Sequence, residues 1–517
     1  MSEMLYPIGI QDFGKLRRGG YVYVDKTRHI YELAHNGSYY FLSRPRRFGK
    51  SLLISTMEAY FKGERELFSG LAMERLENDW VEYPVLHLDL NNGRYDTKEA
   101  LDSELRKHLE KWEAVYGDSY KDRNVGERFF QIVELACRKT GRQVVILVDE
   151  YDKPLLQTLD DEELQEDHRM TLKSFYSVLK SQDRYIKFAF LTGVTKFSKV
   201  SVFSDLNNLN DISMRAKFSD ICGITEKELH AYFEEPLREF AQENGWTYGQ
   251  TLSKLAEKYD GYHFEIGTPG IYNPFSLLNA FYDKSLKDYW FETGTPTFLV
   301  KLLKESDYDL HRLVEGEEQD VVELSSIDSM RENPIPVIYQ SGYLTIKGYN
   351  EEYETYRLGF PNKEVKSGFI RSLLPSYLPV NKSEAVFAIS NFVHDVRRGD
   401  PESFMARLQA LFADNNFRIA GKMEKYFHNA LYLVFTMMGF NAEVEKATSQ
   451  GCIDAVVKTT GYIYVIECKL DKGAQAALDQ INERGYATPF AIDPRKLYKI
   501  GVSFSSATRG ISEYVIE

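Results

Sequence analysis

The sequence predicts an α/β protein of more than one domain, with a parallel sheet at the front and a smaller α/β unit at the back. Three observations carry this. Short apolar runs alternate with helical stretches through roughly the first two hundred residues, as strands do when a parallel sheet carries helices on both faces. At 517 residues the chain exceeds what one hydrophobic core organises. After a mostly helical middle, roughly the last hundred residues resume a strand and helix order of their own.

In chain order, the front unit reads as YYFLSR, a helix from about Ser51, YPVLHLDL, a helix through Leu101 to Tyr116, RQVVILVDE and IKFAFLTGV. Between about Ser219 and Lys304 the pattern is helical, with ITEKELHAYFEEPLREFAQENG as its clearest amphipathic element, and we expect a lid there. VIYQSGYLTIKGY and YETYRLGF read as β-like pieces of a small α+β connector, closed by the turn signal PNKE. A helical segment from about Ala385 to Ala413 leads into helix KMEKYFHNALYLVFTMMG, strand AEVEKA, hairpin CIDAVVKTTGYIYVIECKL and helix GAQAALDQINERGY. The expected domains are thus 1–218, 219–320, 321–400 and 401–517.

Composition narrows the function. Hydrophobic residues make up 43% and charged residues 27%, and no apolar run approaches the roughly 20 residues of a membrane span. The first residues lack the order of a signal peptide. The four cysteines, Cys137, Cys222, Cys452 and Cys468, show neither a disulfide framework nor metal-ligand spacing, so a cytoplasmic setting without membrane contact is expected. A net charge of −13 argues against a protein that coats nucleic acid through phosphate neutralisation. From Gly421 onward, however, eleven Lys/Arg balance eleven Asp/Glu, so the excess acid lies ahead of the tail and nucleic-acid contact there stays open.

Phe41 to Ser51, FLSRPRRFGKS, ends a β-run and opens a helix, with Gly49-Lys50-Ser51 where a phosphate-binding loop would have them. Backbone N–H groups from Arg46, Arg47, Phe48 and Gly49 would cradle phosphates, Lys50 would reach the β- and γ-phosphates, and Ser51 would ligate Mg²⁺. The full pattern wants a glycine five places before Gly49; here Arg44 stands there. About a hundred residues on, Val144 to Glu150 is an apolar strand closed by two carboxylates. Asp149 would hold Mg²⁺ and Glu150 would orient or deprotonate the attacking water. The alternative is a buried strand with an acidic helix cap. A third strand ends in Thr192, Thr195 and Lys196, where a polar residue could sense the γ-phosphate; strand-end threonines also simply serve turns.

In the tail, Asp454 stands in GCIDAVV, and Glu467 and Lys469 follow in YVIECKL beyond a turn at Thr460-Gly461. Two residues apart on a strand, Glu467 and Lys469 share a face, with Asp454 expected on the neighbouring strand. Charges flanked by Val465, Ile466, Cys468 and Leu470 are costly in a sheet unless paired or metal-bound. Asp454 and Glu467 would hold Mg²⁺ or Mn²⁺ while Lys469 positions the attacking water; the alternative is an ion pair on an exposed edge strand. Glu424 and Gln480, on the helices either side, fit as supporting groups.

These residues resemble a family. Tyr23-Val24-Asp25-Lys26-Thr27, RPRRFGKS, Asp149-Glu150-Tyr151-Asp152-Lys153-Pro154, Tyr259 to Tyr262 and Tyr272 to Ser276 resemble the AAA-ATPase-like family, in which RPRRFGKS replaces the usual first glycine. Gly451 to Asp454, Glu467-Cys468-Lys469 and Gln480 to Tyr486 resemble the PD-(D/E)XK nuclease domain that family commonly carries. Cys452 stands where relatives often have arginine. The expected units are then an AAA-like core with a helical lid, a connector for which a winged-helix form is open, and a restriction-endonuclease-like tail. The resemblance implies ATP and Mg²⁺ in front and phosphodiester chemistry behind; nucleic acid is the expected partner, with DNA ranked ahead of RNA and both open. Such modules often form rings, which puts a homo-oligomer among the partners, with Arg215 a candidate for an arginine supplied in trans. Two other readings stay open: an ATP-dependent switch or scaffold whose tail binds without cutting, and a remodeller whose tail only docks a protein.

Overall fold

The computed structural model describes residues 4–118, 120–197, 208–291, 297–306, 308–377, 382–413, 423–439, 443–445 and 455–517. It divides into two compact units, one formed by 1–290 with 318–363, the other by 291–317 with 364–517.

The first unit is built on a five-stranded parallel sheet: β1 (Tyr39–Ser43), β2 (Val85–Asp89), β3 (Val144–Asp149), β4 (Ile186–Gly193) and β5 (Asn210–Asp211), in spatial order β2-β3-β4-β1-β5. The three inner strands are buried along nearly their whole length, which is why they read as continuous apolar runs. Register puts Leu42 beside Thr192, Val148 beside Leu191 and Asp89 beside Asp149, so the carboxyl ends of the strands lie together. In open α/β sheets that edge forms the ligand crevice. Helix Lys50–Phe61 packs on β2 and β3, and helix Val125–Thr140 on β3, the latter started by an Asn124 cap and stopped by left-handed Gly141.

The stretch after Ser219 forms helices Glu226–Glu243, Tyr248–Tyr259 and Pro274–Asp283, which share a core of Leu229, Phe233, Leu237, Phe240, Leu255 and Phe281. Two capping boxes, Thr225/Glu228 and Thr247/Gln250, start the first two. The β-like reading of Val337 to Gln340 needs correction: these residues form helix Ile335–Gln340, because Asn333 accepts from the Ile335 N–H and Pro334 and Pro336 suit a first helical turn. Only the second half of that run pairs, as β6 (Thr345–Asn350) with β7 (Thr355–Gly359).

In the second unit, helices Lys382–Arg398 and Pro401–Ala413 precede helix Met423–Gly439. They lead to a sheet of β8 (Glu443–Glu445), β9 (Ala455–Lys458), β10 (Tyr462–Leu470), β11 (Lys496–Ser505) and β12 (Gly510–Ile516), in that order. β10 and β11 run parallel, joined through helix Ala474–Glu483, and the other pairs are antiparallel. Gly501 lets that helix sit on the sheet: a Cβ there would lie 2.3 Å from the Ala474 carbonyl and 2.7 Å from the Leu478 nitrogen. Among the described residues, no helix is long and apolar enough to cross a membrane.

Candidate functional site

Three strand ends meet around the loop after β1. Arg47 and Gly49 both take positive φ, 66° and 94°, so the loop turns tightly between β1 and the helix that follows. Open space lies where a Gly49 Cβ would be. Lys50, 4% exposed, opens the helix, and its Nζ donates to the carbonyls of Arg44 (3.0 Å) and Pro45 (3.4 Å) and pairs with Glu150 Oε1 at 3.1 Å. Ser51 follows it, half-buried. Glu150 holds φ 55°, a left-handed conformation costing a residue with a side chain about 1 kcal/mol and found mostly where surroundings enforce it.

Next to it, Asp149 is 4% exposed and accepts from the Thr192 hydroxyl at 2.7 Å. Thus Lys50, Glu150, Asp149 and Thr192 come together. The other loop residues divide by role. Phe48 is buried edge-on to Tyr262 and Phe264. Arg46 is exposed, its carbonyl accepting from the Trp290 indole, and the Arg47 guanidinium lies 4.0 Å from the Phe275 ring centre.

Arg44, in the place of the expected glycine, is a core residue. It is 1% exposed and donates to the carbonyls of Ser43, Ser213 and Phe218, with its guanidinium 3.8 Å from the Phe264 ring centre. Burial pushes it down to about 10. Its charge therefore braces the loop from behind.

Sequence reasoning missed two features here. Asp152 is fully buried, and burial, with the charge of Glu150 beside it, pushes it up to about 6. The signal was present in the DEYD run, whose second aspartate had no assigned task. The second is an apolar pocket next to Gly49, lined among others by Tyr23, Val24, Leu53, Ile224 and Leu278; YVDKT was singled out as a motif without a place.

In the tail, Glu467 is 3% exposed on β10, which is a central strand, so an edge-strand ion pair does not describe it. Lys469 Nζ lies 2.9 Å from Glu467 Oε1, and the Gln480 amide donates to the same oxygen. Tyr486 accepts a longer bond from Gln480 at 3.4 Å. Glu467, Lys469 and Gln480 are thereby brought to one point. Asp454 lies outside the described residues, as does the side chain of Glu424, whose backbone belongs to helix Met423–Gly439. Among the described residues, no three His, Cys, Asp or Glu side chains are grouped to hold a metal ion.

Comparison with known proteins matches both ends. Residues 7–203 fit the family described as Predicted AAA-ATPase, and residues 422–514 fit the PD-(D/E)XK nuclease superfamily. An "Uncharacterized protein in vnfD 5'region" of Azotobacter chroococcum mcd 1 is 36% identical over 530 residues, spanning 100% of this chain and 99% of that one. The solved structure of the Aeropyrum pernix ORC2 protein (ADPNP-ADP complexes) overlays 72% of this chain and 96% of its own at 11% identity, with a TM-score of 0.23, a likeness too slight to argue from. The chain belongs to the AAA-ATPase-like family and carries a PD-(D/E)XK nuclease superfamily domain at its C-terminal end.

Proposed function

We propose that this protein binds ATP at the loop after β1 and is an ATP-regulated, metal-dependent nuclease acting on DNA. The observation that carries the proposal is the pairing of two charged groups that burial alone would disfavour: Lys50 with Glu150 in the first unit, Lys469 with Glu467 in the second.

The residues present fit the expected ligands. The space before Gly49 and the curled loop suit phosphates, and the pocket of Tyr23, Val24 and Leu278 suits a flat base. Ser51 and Asp149 would hold Mg²⁺ in front, and Glu467 with Asp454 would hold Mg²⁺ or Mn²⁺ in the tail, both as oxygen donors. Bound there, such an ion stabilises charge on the phosphoryl oxygens and activates water.

The chain's own groups do the rest. Lys50 exchanges Glu150 for phosphate oxygens, which frees the Glu150 carboxylate to orient or deprotonate water. Thr192 holds the Asp149 carboxylate in place through its hydroxyl donor, at the strand end where the terminal phosphate would lie. In the tail, Lys469 positions water and opposes charge developing on the phosphate, while Gln480 fixes the Glu467 carboxylate. Arg46 and Arg47 add positive charge at the rim of the loop. A homo-oligomer and a cytoplasmic location belong to the same proposal.

A second reading is an ATP-dependent switch whose tail binds nucleic acid or a partner without cutting, with Lys469 and Glu467 kept as a structural ion pair. Lys469→Ala separates the two. Loss of Mg²⁺- or Mn²⁺-dependent cleavage in that variant supports the nuclease; tight DNA binding without cleavage under either metal in the parent chain supports the switch.

A further inference from the structure

The loop that follows β4 is clamped to the turn that follows β3 by one carboxylate. Asp152 is 0% exposed and accepts from the Val194 N–H at 3.1 Å, the Thr195 N–H at 2.6 Å and the Thr195 hydroxyl at 2.7 Å. Beside it, the Tyr151 N–H donates to the Thr192 carbonyl at 3.0 Å, and the Phe197 N–H donates to the Tyr151 hydroxyl at 3.1 Å. The approach is close enough to need glycine: a Cβ on Gly193 would lie 2.5 Å from Asp152 Oδ1 and 2.7 Å from the Tyr151 ring.

The same loop is held from its other side. The Lys196 N–H donates to Gln340 Oε1 at 2.6 Å, the Lys196 carbonyl accepts from the Ile327 N–H at 3.2 Å, and the Gln340 amide donates to the Leu324 carbonyl at 2.7 Å. Lys196 Nζ also pairs with Asp211 at 2.5 Å. Residues 193–197 thus bridge Glu150 and Thr192 on one side to residues 324–340 on the other.

A buried carboxylate is expensive, and packing alone would be served as well by an apolar side chain. What a carboxylate offers here is acceptors only: the three donors converge on Oδ2, and the Val194 N–H also reaches Oδ1 at 3.3 Å, where an asparagine that kept its oxygen in the Oδ2 place would put its N–H₂ group.

We propose that Asp152 is a positioning residue that holds loop 193–197 on the Glu150 turn, so that occupation of the terminal-phosphate position is transmitted to residues 324–340. This rests on the reading of the loop after β1 as a nucleotide site.

The test uses the full chain, with Asp152→Asn, Thr195→Val and Thr195→Ser. Calorimetry with Mg²⁺ gives ATP and ADP affinities, and amide exchange follows 193–197 and 324–340 with each nucleotide. The parent chain should protect both segments more with ATP than with ADP. Asp152→Asn should keep ADP affinity within about twofold, lose the ATP-specific protection of 324–340, and bring the two affinities together. Thr195→Val should lose part of that protection even if Asp152→Asn does not fold, and Thr195→Ser should keep it. Equal protection by both nucleotides in the parent overturns the proposal, as does undiminished ATP-specific protection in Asp152→Asn or Thr195→Val. Equal loss of both affinities in a folded Asp152→Asn overturns it too, by making the role merely structural. A parent chain that binds neither nucleotide removes the nucleotide-site reading itself, and the parent titration alone distinguishes that result.

Discussion

Lys50 Nζ lies 3.1 Å from Glu150 Oε1, joining the first residue of the helix after β1 to a residue held at φ 55° beyond β3. With only 3% and 17% of the two side chains exposed, the pair is poorly screened, and phosphate must compete with Glu150 for Lys50.

Glu150→Gln should therefore bind ATP at least as tightly as the parent, because Lys50 is released from a charge. Hydrolysis should fall by about 10²-fold or more, the usual scale for a lost general base. Equilibrium binding and phosphate release check both halves; a matched loss of affinity and rate would contradict them.

Arg44→Gly restores the glycine of the common phosphate-loop pattern, and it should harm the protein. The guanidinium satisfies the carbonyls of Ser43, Ser213 and Phe218 in the core, so removing it should cost about 3–5 kcal/mol from the cavity and the unpaired acceptors together. Denaturant unfolding measures the cost, and ATP affinity should not improve.

Gly501→Ala should destabilise the second unit by about 1–3 kcal/mol, the range for overpacking. The added methyl meets the backbone of helix Ala474–Glu483, which carries Gln480. Cleavage should fall with it, whereas Gln480→Ala should lower cleavage with little change in stability.

Acid and mild base should each loosen one contact in the first unit. Burial works against the Glu58 carboxylate, but hydrogen bonds from His87 at 2.8 Å and Lys62 at 2.6 Å prevail and hold it down to about 2. His87 is raised in turn: burial opposes its charge, and Glu58 outweighs that. The depressed carboxylate contributes above its ordinary value of 4.5 and is lost as pH falls toward 2. The raised imidazole contributes below its ordinary 6.5 and is lost as pH rises through its higher folded value. The stability difference between the parent and Glu58→Gln should thus be largest near about pH 6, at roughly 1–2 kcal/mol, and shrink on both sides. A flat difference across pH would contradict the pairing.

The sheet of the first unit was legible because its inner strands are mostly apolar and the residues that come together lie at their ends: Lys50 in the helix after β1, Asp149 closing β3 with Glu150 just beyond it, and Thr192 in β4. Arg44 was not, since an arginine in a glycine-poor loop reads as solvent charge and only the fold reveals three carbonyls around it. Val337 to Gln340 misled because branched apolar residues suit strands, while the preceding prolines and Asn333 decide for a helix. β11 and β12 were not singled out, as LYKIGVSFS and ISEYVI carry no motif. Glu467 and Lys469 were legible as a same-face pair; that Gln480 reaches the same oxygen depends on Gly501, a relation between distant positions.

The most direct measurement is cleavage of plasmid and single-stranded DNA by the purified chain with Mg²⁺ or Mn²⁺, with and without ATP, beside Glu467→Ala and Lys469→Ala. The account predicts metal-dependent cleavage that changes with ATP and disappears in both variants. No cleavage under any of these conditions by a folded, ATP-binding chain would contradict it.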